Sequence, residues 1–244
     1  MIRLENVSSG YGGRAVLTDL SVAFERGTLT AVVGPNGSGK STLLKTVIDI
    51  VPALSGQVTV EGVPTSAMSR RQIAKSIAYL AQGNDTPDMT VEQLALQGRF
   101  PYLNYPRTYG RDDYAAAEAA LARVDMTKYA AAHLDTLSGG LRQTAYIAMA
   151  LAQDTPFILL DEPTTYLDIS HQLSLMRTLR ALTAHGKGIV AVLHDLPLAF
   201  TFADRVVVMS EGRMVCHGTP EAVCDSGAVE QVLGVRLTRD GGYN

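Results

Sequence analysis

A three-layer α/β fold built on a parallel sheet is what this sequence predicts, and three apolar segments carry the prediction. Residues 29–33 (LTAVV), 157–160 (FILL) and 188–193 (GIVAVL) are apolar throughout. A strand with one wet face alternates, whereas a strand buried on both faces does not. Each segment runs into a loop bearing polar residues and then a helix-like stretch. That recurring order is the pattern of helices layered on a parallel sheet. In such sheets ligands sit at the carboxyl ends of the strands, where the chemically loaded loops of this chain fall.

Two additions surround the core. The N-terminal residues, 57–61 (QVTVE) and 206–209 (VVVM) hold short β-rich runs punctuated by glycine. They predict antiparallel pieces beside the main sheet. Between residues 88 and 137 the composition turns Ala-rich and helical, as in YAAAEAALARV at 114–124. This stretch reads as an inserted lobe. The expected organisation is a single domain over 1–244, with 1–87 and 145–244 forming the core and its β-subdomain and 88–144 the inserted helical subdomain. The tail after Gly218 is short, which leaves little room for a regulatory domain.

Composition narrows the function. Hydrophobic residues make up 46% of the chain, enough aliphatic material for a sizeable core. The net charge of −3 gives no case for a nucleic-acid partner. Cys216 and Cys224, with His217 between them, are too few for a metal site, and a disulfide needs an oxidising compartment. They read as reduced thiols. The start, MIRLENVSSGYGG, lacks the apolar core of a signal peptide. No apolar run approaches the roughly 20 residues that cross a bilayer. Membrane association is therefore expected only through a partner.

The strongest motif follows the first apolar segment. Gly34-Pro35-Asn36-Gly37-Ser38-Gly39-Lys40-Ser41-Thr42 fits G-x-x-x-x-G-K-[ST] between a strand and a helix. Glycines let the backbone wrap closely, so that successive N–H groups point at phosphate oxygens. The helix that follows presents its positive end to the same anions. Lys40 is placed to meet the β- and γ-phosphates of ATP, and the Ser41 hydroxyl to ligate Mg²⁺. The second apolar segment ends in Asp161 and Glu162. Asp161 is expected to hold Mg²⁺ through its water shell, and Glu162 to reach the attacking water as general base.

With these residues in hand the chain resembles the ABC ATPase family over nearly its whole length. Leu137-Ser138-Gly139-Gly140 resembles the family's signature motif, and Gln82 in YLAQ falls at its Q-loop. Leu167-Asp168 resembles the D-loop, His194 in VLHD the switch histidine, and Tyr11 the aromatic that stacks on adenine. The resemblance implies a P-loop NTPase with a RecA-like three-layer core, an antiparallel β-subdomain and an inserted α-helical subdomain. It also implies that Gln82 touches Mg²⁺ or water and that His194 senses the γ-phosphate. Two copies would sandwich two ATP molecules, each offering Ser138, Gly139, Gly140 and Asp168 to the nucleotide of the other. The chain departs from the family at Leu141, where Gln is usual, and at Thr144, where Arg is common.

The resemblance narrows to one branch. Gly98-Arg99-Phe100-Pro101-Tyr102 resembles a segment of the iron-chelate and cobalamin importers, and the run 161–172 (DEPTTYLDISHQ) resembles the ferric-siderophore subgroup. It implies an ATP-hydrolysing subunit on the cytoplasmic face of the membrane. Its partners would be transmembrane permease subunits, with a substrate-binding protein acting on the far side. Phe100, Tyr102 and Tyr105 are expected near the groove that receives a helix of the permease. Haem, cobalamin or another metal complex stands behind siderophore–iron as cargo. A soluble ABC ATPase without transport function and a P-loop kinase are the rivals.

Overall fold

The computed structural model describes residues 1–83 and 86–235 of the 244. A four-stranded antiparallel sheet comprises β1 (Ile2–Tyr11), β2 (Arg14–Phe24), β4 (Ala53–Val60) and β5 (Val63–Pro64), in the order β2-β1-β4-β5. A six-stranded sheet holds β3 (Leu29–Val33), β6 (Ile77–Leu80), β7 (Phe157–Asp161), β8 (Gly188–Val192), β9 (Arg205–Ser210) and β10 (Arg213–Gly218), in the order β10-β9-β3-β8-β7-β6.

Every residue of β3, β7 and β8 is buried, and the core explains the continuous apolar runs. Leu29, Ala31 and Val33 face one hydrophobic cluster with Ile158, Leu160, Ile189 and Ala191. Val32, Phe157, Leu159, Val190 and Val192 face the other, against the antiparallel sheet and α1 (Lys40–Val47). Successive side chains point to opposite faces, so both faces demand apolar residues.

One expectation is corrected. Residues 206–209 form no antiparallel piece beside the main sheet. They lie within β9, parallel to β3 with Val32 opposite Val207, and only β10 on the outer side runs antiparallel. Four consecutive apolar side chains need cover on both faces, which an interior strand supplies. The exposed alternation falls on β10 instead. Residues 57–60 pair with β1 in the antiparallel sheet.

Three helices, α3 (Val91–Gln97), α4 (Arg111–Arg123) and α5 (Gly139–Ala152), pack on one another as a lobe. The boundary expected at residue 144 falls inside α5, which runs unbroken to Ala152 and packs on β6. Lobe and core thus share a helix. Gln153, just beyond it, donates from Nε2 to the carbonyls of Ala74 and Ile77, on the edge of the core. The remaining helices are α2 (Arg70–Ser76), α6 (Ile169–Ala184), α7 (Leu196–Phe202), α8 (Pro220–Asp225) and α9 (Ala228–Leu233). No described helix is long and apolar enough to cross a membrane. Cys216 and Cys224 form no disulfide.

Candidate phosphate site

The segment from Gly34 to Gly39 carries the chain from β3 into α1 without a side-chain cap on the helix. Glycine is required at two places. A Cβ on Gly34 would lie 2.2 Å from the Met209 carbonyl oxygen. Gly39 stands at φ 98°, and a Cβ there would meet Leu17 at 2.6 Å. The loop therefore folds tightly against the core. Lys40 is buried beneath it and donates from Nζ to the carbonyls of Gly34 and Pro35, both at 2.8 Å. Burial lowers the lysine's pKa, an effect that Glu162 and Asp161 counter. The Ser38 hydroxyl is buried without a hydrogen-bond partner among the described residues. An orphaned buried hydroxyl is costly, and this one belongs to the loop that follows β3.

Two carboxylates stand at the end of β7. Asp161 Oδ1 accepts from the Ser41 hydroxyl at 2.9 Å, and Oδ2 from the Tyr79 hydroxyl at 3.4 Å. Burial raises the Asp161 pKa; the Ser41 hydrogen bond opposes that rise, and Glu162 reinforces it. Burial and the Asp161 charge also push the Tyr79 phenol well up. Glu162 itself stands at φ 53°, a left-handed conformation that costs a non-glycine residue about 1–3 kcal/mol. Its Oε1 lies 2.6 Å from His194 Nε2, and its Oε2 accepts from Gln82 Nε2 at 2.6 Å and from Thr165 Oγ1 at 3.3 Å.

Part of this set lines a cavity of about 530 Å³, within the range of small-molecule sites. Asn36, Gly37, Gly39, Lys40, Ser41 and Thr42 line it, together with Gln82, Glu162 and His194. Gly34 and Pro35 line a neighbouring hollow with Asn36 and His194. A tight glycine cradle, a buried lysine, an orphaned hydroxyl and an uncapped helix start fit a triphosphate. The Ser41 hydroxyl and Asp161 carboxylate are hard oxygen donors suited to a divalent cation that keeps its remaining places for phosphate and water. Among the described residues there is no cluster of three or more His, Cys, Asp or Glu able to hold a metal unaided.

Other expected residues lie apart from this cavity. Tyr11 ends β1, half exposed, and is not on the cavity wall; Val16 of β2 is. Ser138 caps α5 by accepting from the Leu141 N–H, and Gly139 and Gly140 form the first turn. None of the three lines the cavity. Residues 163–168 lie against this turn: a Cβ on Gly140 would come 3.5 Å from Leu167, and Gln143 donates to the Pro163 carbonyl at 3.3 Å. Asp168 caps α6, where bonds from the His171 N–H and the Ser170 hydroxyl hold its carboxyl well below the usual range. Thr144 donates back to the Gly140 carbonyl, and Leu141 packs against the lobe's core.

The aromatic segment divides. Tyr105 is 97% exposed and Phe100 half exposed, with Arg107 stacked on its ring. Tyr102 turns inward instead. Its hydroxyl donates to the Gln153 carbonyl at 3.0 Å, and Arg99 lies over its ring. Tyr102 thus pins the segment to the end of α5. Tyr79, Thr165 and Val16 escaped the sequence reading, although Tyr79 carries a signal, three residues before Gln82 on a strand.

Comparison with known proteins places the fold in a family. The model of the ABC transporter family matches residues 17–165. The chain is 39% identical over 243 residues to the probable siderophore transport system ATP-binding protein of Bacillus subtilis, covering 98% of this chain and 88% of that one. It is 39% identical over 237 residues to the ferric enterobactin transport ATP-binding protein of Escherichia coli, covering 96% and 88%. Against the hemin import ATP-binding protein of Streptomyces coelicolor it is 40% identical over 222 residues, covering 91% and 79%. Among solved structures, a dimeric bacterial ABC transporter cassette superposes with a TM-score of 0.80 at 26% identity, over 90% of this chain and 99% of that one. An inward-facing putative metal-chelate type ABC transporter does so with 0.84 at 25%, over 99% and 94%. The chain belongs to the ABC transporter family and is one of its ATP-binding, ATP-hydrolysing proteins.

Proposed function

We propose that two copies of this chain work face to face beneath the permease subunits of an importer, and that the cargo is an iron–siderophore complex. One observation carries the mechanism: Lys40, Ser41, Glu162 and His194 meet in one cavity while Ser138–Gly140 stands outside it. In this reading the loop amides and Lys40 grip the β- and γ-phosphates of ATP. Ser41 and Asp161 would hold Mg²⁺, which when bound would supply charge neutralisation. Glu162 takes a proton from the attacking water, and His194 faces the γ-phosphate. Gln82 donates to Glu162 and is assigned to the attacking water or to Mg²⁺, which its amide oxygen could meet. Tyr11 supplies a ring for the adenine.

The exposed turn Ser138–Gly140 serves the nucleotide of the other copy, with Asp168 beside it. The dimeric cassette supports this pairing. The names of the siderophore and ferric enterobactin relatives support the cargo, and that of the hemin relative supports haem as the second reading. Exposed Phe100 and Tyr105 supply aromatic anchors for the permease. A substrate-binding protein then delivers cargo on the far side, and this chain sits on the cytoplasmic face. Glu162→Gln tests the core of the reading. ATP hydrolysis should fall about a thousandfold while ATP binding persists and the dimer accumulates; near-normal hydrolysis would overturn it. Uptake of labelled siderophore–iron against labelled hemin in cells lacking the chain decides the cargo.

A further inference from the structure

We infer that Thr165 is a positioning residue for Glu162, holding its carboxylate in place while its other partners turn to the nucleotide. The inference deepens the reading of Glu162 as general base and rests on it. Glu162 keeps a strained backbone at φ 53°, and strain of that kind persists only where the surroundings hold it. Three side chains reach its carboxylate: Gln82, His194 and Thr165. Gln82 and His194 both line the cavity and face whatever enters it. Thr165 does not line it. Its hydroxyl reaches Oε2 at 3.3 Å from three residues downstream, and its N–H closes a turn onto the Glu162 carbonyl at 3.3 Å.

The piece of chain bearing that hydroxyl is tied from several sides. Gln143 donates to the Pro163 carbonyl and Gln172 to the Thr164 carbonyl, each at 3.3 Å. The Leu167 N–H also bonds the Thr164 carbonyl, at 3.2 Å, and Pro163, Thr164 and Leu167 are buried. Thr165 is β-branched, so its hydroxyl has few directions open to it. It is thus the donor to Glu162 that stays put when the cavity fills, fixing one carboxylate oxygen and aiming the other.

Thr165→Val keeps the shape and removes the hydroxyl. In the full-length chain kcat should fall about tenfold, the effect of one hydrogen bond to a charged group, while KM and ATP affinity stay within twofold. Thr165→Ser should recover most of the loss. Wild-type turnover in Thr165→Val, beside an inactive Glu162→Gln, overturns the positioning role and leaves the base intact. Equal losses in the valine and serine variants overturn it too, since packing would then be the cause. Active Glu162→Gln defeats the underlying reading instead. Should the valine variant fail to fold, Thr165→Ala read against Thr165→Ser decides the matter by the same split.

Discussion

The loops at the carboxyl edge of the sheet and the turn that opens α5 are both assigned to phosphate in the proposed reading, yet they are furnished in opposite ways. The first gathers side chains from α1 and from the ends of β6, β7 and β8 and the loops that follow them, buries its lysine and satisfies its carboxylates internally. The second has no charged side chain among Ser138, Gly139 and Gly140; Ser138 and Gly139 are exposed at a helix start whose own cap is a single serine. A site that must stabilise developing charge gains from low dielectric and fixed partners. A site that only has to meet a ligand carried by another molecule needs backbone, a helix dipole and access. The contrast is what a two-copy site divided between subunits demands.

The comparison breaks first at Lys40. Lys40→Ala should drop hydrolysis at least a thousandfold and nucleotide affinity about a hundredfold, since several bonds to a charged donor are lost at once. Fluorescent-nucleotide titration checks this, and preserved affinity would mean that the buried half does not grip the ligand. Gly139→Asp sharpens the other half. A carboxylate at the turn opposes the partner's triphosphate, so hydrolysis should fall about a hundredfold while the isolated chain binds ATP as before. Loss of binding by the monomer would show that the turn serves its own chain's nucleotide.

Away from both halves the effects are smaller and fall on stability. Arg99 donates to Asp113 in a largely buried pair, donates to the Ala152 carbonyl and covers Tyr102. Arg99→Ala should cost about 2–3 kcal/mol in chemical denaturation, because Asp113 loses its cationic partner and keeps only the Gly110 N–H. Tyr102→Phe removes the hydroxyl that bonds the Gln153 carbonyl and Arg99 and should cost about 1 kcal/mol. If these two variants instead abolished hydrolysis with stability intact, the aromatic segment would belong to the site rather than to the scaffold.

What was legible in the sequence was local. The glycine loop with Lys40 and Ser41 and the acids after residues 157–160 each announce themselves within a few residues of a strand. Gln82, His194 and Tyr11 needed the family resemblance, since an amide, an imidazole or a phenol near a strand has many ordinary uses. What stayed hidden depends on distant approach. Val16 reaches the cavity only because the antiparallel sheet folds over α1. Tyr79 and Tyr102 are aromatic residues whose hydroxyl partners lie 82 and 51 residues away. The strand at 206–209 was misplaced because an apolar run carries no record of which neighbours cover it. The boundary at 144 failed for a related reason: helix-forming residues continue on both sides of it, and only packing tells lobe from core.

The helix shared by lobe and core would act as a lever. α5 has 14 residues, or about 21 Å at 1.5 Å per residue, with Ser138 at its exposed start and its far end tied to the first residue of β6 by Gln153. Pivoting it by about 10° would carry the tip about 4 Å, farther than a hydrogen bond can stretch. Small rearrangements near the tied end would thereby be magnified at the tip, so contact with a facing triphosphate would be made or broken cleanly.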